Sequence, residues 1–140
     1  ICANSNLNMK IDTLLIDDDT IVLYIHKVLV EESALQTEVF TFEDGESALE
    51  HMYSNEQDDE RVFLLLLDIN MPAMDGWEFM EKLKKSRAYD RIVVSLITSS
   101  IDKSDAEKAK KYHIVKSFFV KPLSMDNVED IVKNLVEIQS

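Results

Sequence analysis

The stretch from Val62 to Leu67 is apolar at every position. A strand with one wet face alternates apolar and polar residues, so an unbroken apolar run indicates a strand covered on both faces. Such strands are typical of parallel sheets with helices on both sides. The run ends at Asp68, and Pro72 and Gly76 soon follow, which indicates a turn after the buried strand. This segment therefore predicts an α/β domain.

Segments of strand character alternate with segments whose apolar residues recur at helical spacing. The predicted strands are Thr13–Ile16, Thr37–Phe42, Val62–Leu67, Ile92–Ile97 and Phe118–Val120. The predicted helices are Thr20–Glu32, Glu46–Tyr53, a helix that begins after Asp75, Asp102–Tyr112, and a helix that begins after Ser124. Asp19, Asp75 and Ser124 are candidate N-caps. Five strands alternating with five helices indicate a doubly wound parallel sheet.

Composition and charge exclude several classes of function. The 140 residues have the length of one domain. The formal net charge of −12 repels phosphate backbones and anionic lipid, so we expect no direct nucleic-acid or membrane binding. The chain has only two glycines, which is too few for the glycine-rich phosphate loops of nucleotide-binding proteins.

The beginning of the chain lacks any periodic pattern. Residues 1–10 are expected to be a disordered lead or a cloning remnant, with the folded domain over residues 11–140. Cys2 is the one cysteine, so no disulfide can form within the chain. No apolar run reaches the length of a transmembrane span. These features fit a reducing compartment, and we expect a cytoplasmic protein.

Polar side chains follow four of the five predicted strands. Asp17 and Asp18 follow the first strand, and Asp68 follows the third. Thr98 ends the fourth strand and Lys121 follows the fifth. The carboxyl ends of parallel strands lie at one edge of the sheet, where ligands bind. We therefore expect three carboxylates, a hydroxyl and an ammonium group to meet there.

Three carboxylates at close range repel one another, so either one stays protonated or a cation neutralises them. Oxygen ligands favour a hard cation, and Mg²⁺ suits best because it also accepts a phosphate oxygen. Zinc is not expected, since no histidine or cysteine lies near these positions in the sequence. An anion between such a metal and Lys121 favours phosphoryl transfer. Asp68 is the natural nucleophile because carboxylates form acyl phosphates.

Four segments in order, LLIDDD, LLLLDINMPAMDG, VVSLITSS and FFVKPL, resemble the receiver domain of two-component response regulators. The resemblance covers about residues 11–138. It implies a flavodoxin-like fold whose five strands lie in the order 2-1-3-4-5. It also implies a signalling phosphoacceptor that promotes its own phosphorylation and dephosphorylation, and not an enzyme.

The resemblance implies roles for the acidic residues. Asp68 is expected to accept a phosphoryl group from a phosphohistidine on a sensor kinase or a phosphotransfer protein. Mg²⁺ is expected to bind Asp18, Asp68 and the main-chain carbonyl of Asn70 directly, and Asp17 through a water. Asn70 and Ser100 occupy positions where the family tunes the rate of dephosphorylation.

The resemblance also implies a switch. Thr98 and Lys121 are expected to contact the phosphoryl group, with a cis peptide bond between Lys121 and Pro122. Phe118 occupies the position of an aromatic switch residue that turns inward when Thr98 moves towards the phosphate. The face around helix 4, strand 5 and helix 5 is then expected to change its packing and to bind a downstream protein or serve a phosphorelay.

Other functions fit the sequence less well. A phosphohydrolase of the haloacid-dehalogenase type needs a second aspartate two residues after the nucleophile, where this chain has Asn70. A phosphorylation-independent module is not favoured, because every expected acidic residue is present. A DNA-binding regulator conflicts with the net charge. The sequence leaves open whether the chain is a stand-alone receiver or part of a hybrid kinase or larger regulator.

Three local expectations concern less regular positions. Receiver domains usually carry a glycine shortly before the fifth strand, where this chain has Ile114; a β-branched residue resists positive φ, so we expect a turn of another shape. The helix Asp102–Tyr112 has little apolar surface and is expected to be the least firmly docked. Surface positions are expected for the three histidines, His26, His51 and His113.

Overall fold

The computed structural model describes residues 10–139, with the side chains of the last helix described as far as Leu135. Residues 1–9 of the expected lead lie outside the described residues, whereas Lys10 already belongs to the first strand. None of the helices within residues 10–139 combines the length and the hydrophobicity that crossing a bilayer requires.

Five parallel strands form one sheet in the order β2-β1-β3-β4-β5, which confirms the predicted fold class. The strands are β1 Lys10–Ile16, β2 Glu38–Phe42, β3 Arg61–Asp68, β4 Ile92–Thr98 and β5 Val115–Val120. In the register of β1 with β3, Ile16 lies beside Leu67. Asp17 and Asp68 therefore reach the carboxyl edge of the sheet side by side.

Five helices connect and follow the strands. They are α1 Thr20–Glu32, α2 Gly45–Asn55, α3 Gly76–Leu83, α4 Lys103–Ala109 and α5 Met125–Gln139. The three predicted N-caps are confirmed. Asp19 accepts the backbone N–H groups of Ile21 and Val22, and Asp75 accepts that of Glu78. The Ser124 hydroxyl accepts the N–H of Asn127.

The core consists of two apolar clusters, one on each face of the sheet. Alternate residues of β3 face opposite clusters: Phe63, Leu65 and Leu67 pack with α2 and α3. Val62, Leu64 and Leu66 pack with α1 and α5. Burying one such side chain contributes about 1.5–3 kcal/mol, so this strand alone supplies a large part of the hydrophobic stabilisation. The unbroken apolar run is thus explained by helices on both sides.

Strand β1 begins three residues before its predicted start, and a buried ion pair explains the difference. Asp12 is 1% exposed. Its carboxylate accepts a hydrogen bond from Arg61 Nη1 at 2.6 Å and lies 2.8 Å from Nε2 of His51. His51 also packs on the ring of Phe40, with 4.3 Å between the ring centroids. The predicted surface position of His51 is therefore only partly correct.

The region from α4 to β5 differs most from the sequence prediction. Helix α4 ends at Ala109, three residues before the predicted end, and β5 begins at Val115, three residues before the predicted start. Two turn hydrogen bonds close the helix, one of them from the Tyr112 N–H to the Ala109 carbonyl. Of the residues in α4, only Ala109 is buried, which agrees with the expectation of a thinly docked helix.

The turn before β5 needs no glycine. Among residues 10–139 the one non-glycine residue with positive φ is Ala73, so Ile114 does not adopt that conformation. Ile114 is buried in the core, and its carbonyl accepts the N–H of Val94 on β4. The turn therefore has another shape, as expected, and its β-branched residue adds to the core.

Candidate functional site

Three carboxylates meet at the carboxyl edge of the sheet. Asp17, Asp18 and Asp68 each offer one oxygen, and these oxygens lie within 4.8 Å of one another. Asp17 and Asp68 are buried, whereas Asp18 is exposed. The Asp17 N–H donates to the Phe42 carbonyl on β2, and Asp17 Oδ1 accepts the Asp19 N–H at 2.8 Å. The predicted convergence of the two acidic strand ends is therefore observed.

The loop after β3 holds the carboxylate of Asp68. The N–H of Asn70 donates to Asp68 Oδ1 at 3.1 Å. The N–H of Gly76 donates to the carbonyl of Ile69 at 2.8 Å, which folds the loop back on itself. A Cβ on Gly76 would lie 2.8 Å from the Cα of Ile69, so this close approach of two backbones requires a glycine.

Lys121 completes the cluster from the end of β5. Its Nζ lies 3.1 Å from Asp17 Oδ2 and 3.3 Å from Asp68 Oδ2. The backbone N–H of Lys121 donates to the Thr98 carbonyl at 2.8 Å. Strand β4 therefore fixes the position from which the lysine side chain extends. The peptide bond to Pro122 is cis, as predicted.

Burial and repulsion disturb the titration of this cluster. Burial, together with the negative charge of Asp17, raises the pKa of Asp68 to about 6, against opposing contributions from the Asn70 N–H and from Lys121. Burial lowers the pKa of Lys121, but its hydrogen bonds and charge interactions with Asp17 and Asp68 outweigh burial and raise that pKa above its ordinary value. Asp68 is therefore a carboxylate with incomplete charge compensation.

Thr98 lies beside the acidic cluster, and its side chain does not reach solvent. It is fully buried, and its hydroxyl donates to the Ser100 carbonyl at 3.0 Å. The side-chain amide of Asn70 donates to the Thr98 hydroxyl at 3.4 Å, a long contact. Phe118 pairs with Leu96 in the β4–β5 ladder, two residues before Thr98, and is only partly buried. Phe118 and Thr98 thus lie on the same face of the sheet.

The structure also reveals a site residue that the sequence prediction missed. His26 is 2% exposed, so its predicted surface position is wrong. Its Nε2 accepts the N–H of Leu123, which lies two residues after Lys121. The helical spacing contained the signal, because His26 follows Leu23 by three residues and precedes Val30 by four, and these are the other buried residues of α1.

The donor set fits a hard divalent cation. Three carboxylate oxygens within 4.8 Å carry more negative charge than the one ammonium of Lys121 neutralises. Carboxylate oxygens are the ligands that Mg²⁺ and Ca²⁺ prefer, and neither histidine nor cysteine contributes to the group. The residues therefore suit an oxygen-bound cation whose further ligands come from water or a substrate.

Comparison with known families gives one clear result. The sequence matches the family described as "Response regulator receiver domain" over residues 13–133. This range contains all five strands from residue 13 onward and every residue of the acidic cluster.

Individual relatives agree with the family match. The chain is 27% identical to the probable methanogenesis regulatory protein FilR2 of Methanothrix harundinacea, covering 90% of this chain and 87% of that protein. It is 28% identical to the sporulation initiation phosphotransferase F of Bacillus subtilis, covering 96% and 98%. The crystal structure of a response regulator receiver protein from Dyadobacter fermentans superposes with a TM-score of 0.77 at 29% identity, covering 89% of this chain and 97% of that one. In two other relatives the chain spans only about a third of the protein's length, 33% and 32%.

Proposed function

The chain belongs to the response regulator receiver domain family, and on this premise we propose that Asp68 accepts a phosphoryl group in a reaction that depends on Mg²⁺. The donor is a phosphohistidine on a sensor kinase or a phosphotransfer protein. One observation carries the proposal: the carboxylates of Asp17, Asp18 and Asp68 converge beside the ammonium of Lys121. Repulsion among the three carboxylates costs free energy when no ligand is bound, but the same groups can bind a cation and a phosphoryl group together.

Asp18, Asp68 and the main-chain carbonyl of Asn70 are the groups proposed to hold Mg²⁺ directly, with Asp17 acting through a water. When bound, the cation neutralises carboxylate charge and stabilises the negative oxygens of the phosphoryl group. Asp18 is the exposed member of the three carboxylates. It is therefore the ligand that an arriving cation meets first.

The chemical step needs no further cofactor. An oxygen of the Asp68 carboxylate attacks the phosphorus of the phosphohistidine, the phosphorus–nitrogen bond breaks, and the imidazole leaves with that electron pair. A carboxylate must be ionised to attack, and a pKa of about 6 for Asp68 leaves it ionised at neutral pH. Lys121 already lies 3.3 Å from Asp68 and is proposed to turn its ammonium to the new phosphoryl oxygens.

Access to Asp68 requires movement of its neighbours. The residue is 1% exposed, and Lys121 and Asn70 both bond to its carboxylate. Lys121 is held by two carboxylates of the cluster. With a cation bound, Asp17 and Asp68 would hold the ammonium of Lys121 less tightly, because part of their charge would be neutralised. We therefore propose that metal binding and opening of the nucleophile are coupled.

Four exposed apolar side chains follow or precede site residues closely in the sequence. Ile21 and Tyr24 on α1 are 71% and 70% exposed. Ile101 and Val120 are also exposed, the first three residues after Thr98 and the second just before Lys121. Large exposed apolar groups close to a reactive residue are typical of protein interfaces. We propose that these side chains contribute to the contact with the donor protein.

The proposed switch begins at Thr98. Its hydroxyl donates to the Ser100 carbonyl, so contact with a phosphoryl oxygen requires the hydroxyl to leave that bond. Phe118 lies on the same sheet face and is partly buried, and it is proposed to turn further inward when Thr98 moves. Helix α4 is thinly docked, and the face formed by α4, β5 and α5 is proposed to change its packing for a downstream partner or a phosphorelay. We propose accordingly that the protein acts as a signalling phosphoacceptor in the cytoplasm.

Acetyl phosphate tests the proposal without knowledge of the donor protein. The parent chain is incubated with acetyl phosphate and Mg²⁺, and the product is analysed by intact mass and peptide mapping. We expect one phosphoryl group per chain, located on Asp68, formed only with Mg²⁺ and lost in Asp68→Asn. Beryllofluoride with Mg²⁺ is expected to shift the amide NMR signals around Thr98 and Phe118.

Asp59→Asn is the matched control, because Asp59 is an aspartate in an exposed loop that forms no part of the acidic cluster. This variant is expected to be modified like the parent. An unmodified parent chain, or equal modification of the parent and Asp68→Asn, would contradict the assignment of the phosphoacceptor.

A further inference from the structure

His26 is a buried polar residue that the proposed chemistry does not use. It lies on the apolar face of α1, between Leu23 and Val30, and is 2% exposed. A polar ring at such a position costs free energy unless a hydrogen bond satisfies it. A hydrophobic residue would fill the same place without that cost, so the imidazole needs a reason to be there.

The hydrogen bond of His26 explains its burial. Its Nε2 accepts the backbone N–H of Leu123 at 3.0 Å in a buried contact. A backbone N–H can only donate, so Nε2 carries no proton and the neutral ring holds its proton on Nδ1. Burial lowers the pKa of His26. The charge of Asp17 acts to raise this pKa and the charge of Lys121 acts to lower it further, and the net lowering favours the neutral ring. The bond thus ties α1 to the segment that follows β5.

This bond lies at the first point after Lys121 where the backbone can donate. Pro122 has no N–H, so the N–H of Leu123 is the next available donor. Before the proline, the N–H of Lys121 donates to the Thr98 carbonyl. Lys121 and Pro122 are therefore held on both sides, by β4 through Thr98 and by α1 through His26.

We propose that His26 is a positioning residue for Lys121: its hydrogen bond to Leu123 holds the segment after β5 so that the ammonium of Lys121 reaches Asp68. A lysine side chain is long and flexible, so the place of its ammonium depends on where its backbone is fixed. The observed Nζ lies within 3.4 Å of three carboxylate oxygens, which leaves little tolerance for a shift of that backbone.

The inference rests on the proposed function, because Lys121 is assigned there to the phosphoryl group. The test compares His26→Leu, which keeps bulk and removes the acceptor, with His26→Gln, whose side-chain oxygen can reach the position of Nε2. We expect His26→Leu to lower the rate of Mg²⁺-dependent phosphorylation by acetyl phosphate about fivefold, the equivalent of one hydrogen bond. His26→Gln is expected to recover most of that rate.

A second comparison separates positioning from general destabilisation. In a Lys121→Ala background, His26→Leu is expected to change the rate by less than about twofold, since the two residues act through one contact. Val30→Ala, on the same buried face of α1, is the control: it is expected to lower stability and to leave the phosphorylation rate of the folded protein unchanged. An equal rate loss from His26→Leu with and without Lys121, or no recovery in His26→Gln, would overturn the proposal.

A structural measurement keeps the inference distinct from the proposed function. In crystal structures of the metal-free variants, the distance from Lys121 Nζ to Asp68 Oδ2 is expected to lengthen in His26→Leu and to stay near 3.3 Å in His26→Gln. An unchanged distance in His26→Leu would contradict positioning. If acetyl phosphate fails to modify the parent chain while this distance responds as expected, then the proposed function is wrong and the positioning of Lys121 by His26 stands.

Discussion

Asp12 and Asp68 show how two buried aspartates acquire different roles. Each is 1% exposed. Asp12 has an arginine nitrogen at 2.6 Å and a histidine nitrogen at 2.8 Å, so both of its oxygens have a partner, although Arg61 also pairs with Asp58 at 3.5 Å. Asp68 shares the one ammonium of Lys121 with Asp17. The two carboxylates are therefore equally buried and differ in the supply of positive charge, and this difference supports the proposed reactive role of Asp68.

This incomplete compensation has a consequence for stability. The pKa of Asp68 is about 6 in the folded state and 3.8 ordinarily, so the folded state binds the proton more tightly. Stability contributed by the protonated group is present at low pH and is lost as the pH rises towards 6. Without Mg²⁺ at pH 7, Asp68→Asn is expected to raise the free energy of unfolding by on the order of 2 kcal/mol.

Urea unfolding between pH 4 and pH 8 in the presence of a chelator measures this effect. The advantage of Asp68→Asn is expected to shrink as the pH falls below 6 and to disappear near pH 4. Asp59→Asn, at an exposed position, should show no such dependence. A stability difference for Asp68→Asn that stays constant across this range would mean that the carboxylate is not under strain in the folded protein.

At the scale of helices and strands, the sequence predicted best where the pattern and the burial agree. Strand β3 was identified because each of its apolar residues is buried, and α1 was predicted with its observed bounds although Ile21 and Tyr24 are exposed. Strands β1 and β5 were predicted too short, because both contain polar residues whose partners lie far away in the chain. Asp12 of β1 pairs with Arg61, and Ser117 of β5 hydrogen-bonds to Ser95 of β4.

Most residues of the site could also be predicted from the sequence. Its acidic residues, threonine and lysine were predictable because each follows a strand of a parallel sheet, and that topology brings their backbones to one edge. The role of His26 was not predictable from local pattern alone, because its partner is the backbone of Leu123, which carries no signal in the sequence. Backbone partners that are distant along the chain appear only once the fold is known.

The loop between β3 and α3 contains one residue in a costly conformation. Ala73 has φ of 68°, and the N–H of Met74 donates to the Pro72 carbonyl across it. A left-handed backbone costs an alanine free energy, whereas a glycine adopts it freely but loses more conformational entropy on folding. Ala73→Gly is therefore expected to stabilise the protein by about 0.5–1 kcal/mol.

Thermal unfolding of Ala73→Gly and Ala88→Gly checks this estimate. Ala88 has an ordinary φ of −89° and a buried methyl group, so Ala88→Gly is expected to lower the melting temperature. The two alanine-to-glycine changes should thus have opposite signs. A loss of stability in Ala73→Gly would show that the methyl group of Ala73 contributes more than its backbone conformation costs.

Positive and negative residues of the whole chain are unevenly distributed along the sequence. Of its 15 lysine and arginine residues, eleven lie between Lys82 and Lys121, a stretch with only four of the 27 acidic residues. The rest of the chain is therefore strongly acidic, and it includes Asp17, Asp18 and Asp68. An acidic surface attracts cations to the site and at the same time destabilises the compact state through self-repulsion. Binding of a divalent cation should relieve this repulsion.

Millimolar Mg²⁺ is accordingly expected to stabilise the entire fold. A cation that binds only the folded state at 100 times its dissociation constant contributes about 2.7 kcal/mol, equivalent to a rise of several degrees in melting temperature for a domain of this size. Asp18→Asn should lose most of this rise, because Asp18 is the exposed carboxylate of the cluster. The measurement is differential scanning calorimetry with MgCl₂ against NaCl of equal ionic strength.

Asp59→Asn again provides the comparison, since it removes one exposed carboxylate away from the cluster. It should respond to Mg²⁺ as the parent does. Equal stabilisation of the parent and Asp18→Asn would indicate that Mg²⁺ acts by general screening and not at the strand-edge site.

The ammonium of Lys121 beside Asp68 also affects which reagents can reach that carboxylate. Under the proposed function, modification of Asp68 by a small electrophile would mimic phosphorylation by the donor protein. Without a bound cation the Asp68 carboxylate is 1% exposed and bonded to Lys121 and Asn70, so a reagent from solvent reaches it only after these partners move. Unintended modification of Asp68 is therefore expected to be slow in the metal-free protein, and a bound cation that draws Lys121 away from the carboxylate is expected to remove this protection.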